Sequence, residues 1–129
     1  MQIGFITGEY APMQGGVGAY TRIVAQKFAA RGYDVFVYTD RRAHESDERI
    51  ALTTRTKWGP MALRAIRQWV YDNQLDVVVL QFETAAFDMS PWIHFLPDAI
   101  GDVVPVITKF HDLLVPYLFP KAGAVRDWI

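Results

Sequence analysis

Short apolar runs alternate along this chain with stretches in which apolar residues return every three or four positions. Ile3-Gly4-Phe5-Ile6 is an apolar run bounded by turn signals, the pattern of a strand buried on both faces. Val17, Tyr20, Val24 and Phe28 then recur at helical spacing. Ile23 and Ala25 widen that stripe, while Arg22, Gln26, Lys27 and Arg31 fall mostly elsewhere. Lys27 and Arg31 suit the negative end of the helix dipole, and Gly32 is a stop signal. Asp34 leads into Val35-Phe36-Val37-Tyr38-Thr39, which is rich in β-forming residues. Strand, helix and strand in succession make one βαβ unit, whose crossover is expected to be right-handed.

The same alternation continues. Residues 40–49 carry charges of both signs and read as a solvated loop, followed by a short edge strand at Ile50-Ala51-Leu52-Thr53-Thr54. Gly59-Pro60 opens the next helix, proline being tolerated in a first turn. Leu63, Ile66, Trp69 and Val70 form its buried face, with Arg64 and Arg67 off it. Asp76 introduces Val77-Val78-Val79-Leu80, the clearest parallel-type strand in the sequence. A loop over 81–90 precedes a helix over 91–100. Residues 104–110 make a further strand, with Pro105 near its entry, where a missing N–H costs least. These elements predict an α/β fold: an open parallel sheet covered by helices on both faces, its strand order the common 3-2-1-4-5.

Composition narrows the function classes. At 129 residues the chain is about one domain. With 51% hydrophobic and 21% charged residues it has the composition of a soluble globular protein. A net charge of −1 gives no general attraction to nucleic acid or to an acidic membrane. Without cysteine there is neither a disulfide framework nor a thiolate metal site, which fits a reducing compartment. The apolar start is interrupted by Gly8-Glu9 too soon for a signal peptide, and no run approaches the ~18 apolar residues of a membrane span. A cytoplasmic protein is expected. The closing Arg126-Asp127-Trp128-Ile129 has the look of a helix opening, which suggests a piece of a longer protein.

The candidate chemistry gathers at strand ends. Gly15, Gly16 and Gly18 stand between the first strand and the first helix, where glycine lets main chain approach a ligand closely. The helix that follows turns its unpaired N–H groups toward that loop, as an anion site requires. In open parallel sheets ligands bind beyond the carboxyl ends of the strands, near the reversal of strand order. Three such ends carry polar groups: Gly8-Glu9, Gln81-Phe82-Glu83 and Phe110-His111-Asp112. With the order 3-2-1-4-5 all three share one rim. His111, off any apolar face, is placed to donate to a substrate oxygen. Each carboxylate also has an ordinary structural alternative. Glu9 can hold its own loop, Glu83 can pair with an arginine, and Asp112 can cap the next segment.

Other chemistries find less support. His44 lies in the charged loop, and His94, among Trp92, Ile93 and Phe95, reads as a half-buried hydrogen-bonded histidine. The three histidines are not spaced as a metal site, and neither HExxH nor an acidic calcium loop occurs. No GxSxG elbow supports serine hydrolysis. A nucleotide triphosphatase loop ends in Gly-Lys-Ser/Thr, whereas this one ends Gly18-Ala19. A nicotinamide-dependent oxidoreductase domain is the alternative that stays open. Gly16 and Gly18 supply two glycines of its fingerprint, and Asp40 stands where a ribose-binding acid belongs, but the third glycine is absent. A response-regulator-like module would need an aspartate ending the first strand, which here ends in Thr7-Gly8. The helix bearing Arg64, Arg67 and Trp69 has the elements of a membrane-touching surface, although a core-facing helix with a solvated basic edge accounts for them more simply.

Taken together, three segments resemble the start of GT-B fold glycosyltransferases, glycosyltransferase family 4 in particular. They are Ile3-Gly4-Phe5-Ile6-Thr7-Gly8-Glu9-Tyr10-Ala11-Pro12, then Gly15-Gly16-Val17-Gly18-Ala19-Tyr20, then Ala29-Ala30-Arg31-Gly32-Tyr33-Asp34-Val35. Asp76-Val77-Val78-Val79-Leu80-Gln81-Phe82-Glu83 and Pro105-Val106-Ile107-Thr108-Lys109-Phe110-His111-Asp112 match later landmarks in the right order. The resemblance implies two Rossmann-like domains facing across a cleft. It also implies transfer of a sugar from a nucleotide-sugar donor to an acceptor with retention of configuration, without a cofactor or a bound metal. Residues 1–129 would be the amino-terminal, acceptor-side domain. Gly15 and Gly16 would meet the donor diphosphate, and His111 would contact the transferring sugar. Glu9 and Glu83 lie in matching motifs without a defined role, and Gln81 and Asp112 join them as residues lining the site. The family's carboxyl-terminal nucleotide-binding domain, with its two-glutamate motif, is not represented. The chain alone is therefore expected to be inactive, and its substrates to be met through the full-length enzyme.

Overall fold

The computed structural model describes residues 1–8, 10, 16–43, 47–55, 57–82, 87 and 90–110. The first unit is β1 (Gln2–Thr7), α1 (Gly16–Ala30) and β2 (Asp34–Asp40). Next come β3 (Ile50–Arg55), α2 (Pro60–Asp72) and β4 (Val77–Phe82). A 3₁₀ turn (Pro91–Phe95), α3 (Leu96–Ile100) and β5 (Val106–Phe110) complete the set. The five strands form one sheet in the order β3-β2-β1-β4-β5, every pair parallel. This is the expected Rossmann-like arrangement, with its order reversing between β1 and β4.

Strand positions alternate between two cores. On one side Ile6, Tyr38, Val78, Leu80 and Phe82 pack with Ile66, Trp69 and Val70 of α2 and with Ile93, Leu96 and Ile100. On the other, Ile3, Phe5, Val35, Val37 and Ile50 pack with Ala25 and Ala29 of α1. The alternation continues to the edge, where Ile50 and Leu52 of β3 face the α1 side.

The helices differ from expectation in orientation and length. The face of α1 that meets the sheet is Val17, Thr21, Ala25 and Ala29, whereas Tyr20 and Ile23 are 38% and 53% exposed. Small side chains let the helix lie close to the strands. Thr21 is buried because its hydroxyl donates to the Val17 carbonyl at 2.7 Å. In α2 the buried set is Ala62, Ile66, Trp69 and Val70, with Leu63 at its margin. The single helix expected over 91–100 is instead a 3₁₀ turn followed by the short α3. Pro97 has no N–H to continue the ladder, so the two pieces cannot merge into one regular helix. Ser90 starts the turn, accepting from the Trp92 amide at 3.3 Å and donating to the Trp58 carbonyl.

Strand β5 begins at Val106, not Val104. Val104 is buried with its N–H on the Ile100 carbonyl, and Pro105 contributes only a carbonyl, which accepts from Val78 at 3.0 Å. In the charged segment after β2, Arg41 and Arg42 are exposed as expected, but Asp40 and Ala43 are buried.

Candidate functional site

The carboxyl rim of the sheet is built by register. Thr7 of β1 stands opposite Gln81 of β4, and Gln81 opposite Lys109 of β5, so these three form a row on the α1 side. One position later, on the other side, Phe82 stands opposite Phe110. Strands β1, β4 and β5 are consecutive neighbours, so their ends come together as the sequence predicts. Helix α1 starts at Gly16 and carries no acidic residue in its first turn. Its N-terminal end therefore holds a partial positive charge that no side chain of its own first turn offsets.

Of the residues expected to line the donor and acceptor site, the structure describes Gly16 and Gln81. Gly16 is the first residue of α1 and Gly18 lies in its first turn, so two of the three glycines expected between strand and helix belong to the helix itself. Gln81 is only 1% exposed, set between Thr7, itself fully buried, and Lys109. Gly15, Glu9, Glu83, His111 and Asp112 lie outside the described residues. His44 does as well.

Two residues that the sequence did not single out join this rim. The Lys109 ammonium donates a hydrogen bond to the Tyr20 hydroxyl and lies 3.9 Å from the centre of its ring. This contact links the edge strand to the second turn of α1, across β4. The helical stripe made Tyr20 look like a core residue, so a partner on a distant strand had no signature. Around Phe82 the rim is aromatic: Phe110 lies at 5.6 Å, His94 at 5.2 Å and Phe87 at 6.3 Å between ring centres. His94, expected to be half-buried, is exposed, because the 3₁₀ turn sends Ile93 inward and its neighbour outward.

The nicotinamide alternative loses its acid, and the core-facing reading of α2 holds. Asp40, the acid that a nicotinamide ribose would need, is 4% exposed and turned into its own loop. Its Oδ1 accepts from the Arg42 amide at 2.9 Å and from Arg42 Nε at 3.0 Å. On α2, Trp69 is buried in the core, and Arg67 is held by Asp102 and the Ala99 carbonyl. The basic edge of α2 thus keeps Arg64 exposed and Arg67 paired. No helix among the described residues is long and apolar enough to cross a membrane.

Comparison with protein families gives one result that the geometry can be set against. Residues 14–129 match the family described as Glycosyltransferase Family 4. Comparison with curated proteins gives no match. The matched stretch starts after β1 and takes in the glycine segment and β2 to β5. This chain belongs to glycosyltransferase family 4.

Proposed function

We propose that the chain is the acceptor-side, amino-terminal domain of a GT-B fold enzyme that transfers a sugar from a nucleotide-sugar to an acceptor with retention of configuration. A second Rossmann-like domain supplies the nucleotide site, and the chain by itself is inactive. In this reading the departing diphosphate gains negative charge against main-chain N–H groups of Gly15 and Gly16 at the start of α1. Such donors are fixed before the reaction and need no reorganisation as the charge develops. His111 donates to the transferring sugar and aligns it, with Glu9, Gln81, Glu83 and Asp112 lining the cleft. The chemistry calls for no metal and no cofactor, and the enzyme works in the cytoplasm on its soluble donor.

The observation that carries this reading is strand order. The glycine segment follows β1 and His111 follows β5, and only β4 separates these two strands. The test uses the full-length enzyme with a panel of nucleotide-sugars, the anomeric configuration of the product being read by NMR. Transfer with retention is expected, and none from this chain alone. An inverted product, or robust transfer by the isolated chain, overturns the reading.

A further inference from the structure

Among the described residues, α1 is the one helix on its side of the sheet, and it packs with β1, β2 and β3. The other described helices, α2 and α3, pack on the opposite side together with the 3₁₀ turn. On the α1 side, β4 and β5 present Val77, Val79 and Ile107, with Val79 and Ile107 directly opposite each other. Ile107 is 57% exposed. The flank of α1 that borders this surface is set by helical spacing: Tyr20, Val24, Lys27 and Arg31 follow one another on it. Tyr20 reaches Lys109 of β5, which establishes that this flank faces β5 and not β3. Farther along the flank, Val24, Lys27, Phe28 and Arg31 line a groove of about 170 Å³.

We propose that this groove and the adjoining strand surface dock an amphipathic helix whose polar edge is acidic. Half-buried Val24 and Phe28 in the groove, and exposed Ile107 on the strand face, call for an apolar stripe. A helix satisfies its own backbone hydrogen bonds, whereas a strand laid on a sheet face leaves them unmet. The edge is cationic. Lys27 and Arg31 are exposed and make no ion pair among the described residues, and α1 contains no acidic residue. A second copy of the chain fits poorly, because a two-fold interface would set Lys27 and Arg31 against their own counterparts.

The test uses two fluorescent helical peptides with the same leucine stripe, one flanked by glutamate and one by lysine, and reads binding by anisotropy. The glutamate peptide is expected to bind about tenfold more tightly, the scale of two exposed ion pairs. Ile107→Glu weakens both peptides, and Lys27→Glu with Arg31→Glu reverses the preference. These are surface positions, and circular dichroism melts confirm that each variant folds. Should Ile107→Glu fail to fold, the charge-reversal pair carries the test alone. Equal binding of the two peptides, or no binding, overturns the proposal. Sedimentation of the wild-type chain as a dimer that the charge reversal strengthens, or capture on anionic vesicles in place of the glutamate peptide, overturns it too.

Discussion

Lys109 of the edge strand β5 holds Tyr20 of α1, its ammonium 3.9 Å from the ring centre and hydrogen-bonded to the hydroxyl. The contact crosses β4 above Gln81, which is nearly inaccessible although it stands one residue from the end of its strand. Lys109→Ala is expected to lower stability by about 0.5–1 kcal/mol, the scale of an exposed cation–π contact. Tyr20→Phe should cost less, because it keeps the ring. Urea denaturation measures both, and amide exchange should show faster opening of β5 in the lysine variant. Unchanged exchange would mean that the link does not hold the edge.

Arg67 grips Asp102 with two hydrogen bonds, at 2.6 and 3.0 Å. The side-chain hydrogen bond from Arg67 is the main cause that holds the Asp102 carboxyl below its ordinary value. Because the folded value is the lower one, the pair's contribution to stability is present above the unfolded-state value and is lost as pH falls through the folded one. An NMR titration of the Asp102 carboxyl should show a low midpoint that rises in Arg67→Ala. A midpoint that stays put would assign the shift to something other than this arginine.

Two helix ends share one geometry and differ in residue. After α1, Gly32 at φ +92° donates to Ala29 and Tyr33 donates to Phe28. After α2, Gln74 at φ +51° donates to Tyr71 and Leu75 donates to Val70. Both are Schellman caps, and their left-handed residue is best glycine. Gln74→Gly should therefore stabilise by about 0.5–1 kcal/mol, and Gly32→Ala should destabilise by a similar amount. Thermal melts that move both variants in the same direction would contradict this account.

Gly4 lets β1 pass beneath α2. A Cβ there would stand 2.6 Å from Leu75 Cδ1 and 2.8 Å from the ring of Trp69. Gly4→Ala is expected to cost about 1–3 kcal/mol through overpacking, measured by urea denaturation. A smaller loss would mean that Leu75 and Trp69 shift more readily than a packed core allows.

In the full-length enzyme, His111→Ala should lower kcat about 10²-fold, the lower end of the range for a lost proton-donating group. Gly16→Val should also lower kcat by blocking close approach of the donor to main chain at the start of α1. Wild-type kinetics in either variant would remove that residue from the site.

Much of this fold was legible because burial leaves a periodic trace. The all-apolar runs of β1 and β4 announced strands covered on both faces, and Gly32 announced the end of α1 through a conformation few other residues adopt. The parallel order followed from alternating strands and helices, and with it the grouping of the β1, β4 and β5 ends. The orientation of α1 was not legible. Apolar spacing favoured Tyr20 and Ile23, but close contact with a sheet rewards small residues, and a threonine that bonds its own helix can be buried as well as a valine. Pro97 sat in plain view inside the 91–100 stretch, yet only packing showed that the chain uses it to pass from a 3₁₀ turn to α3.

The sequence by itself thus determined which segments are strands and which family the chain resembles, because these depend on local pattern. Only the tertiary structure decided that Lys109 holds Tyr20, that Asp40 serves its own turn and that α1 turns Tyr20 and Ile23 outward. Each of those depends on residues distant in the chain or on which way a side chain turns, and spacing along a sequence records neither.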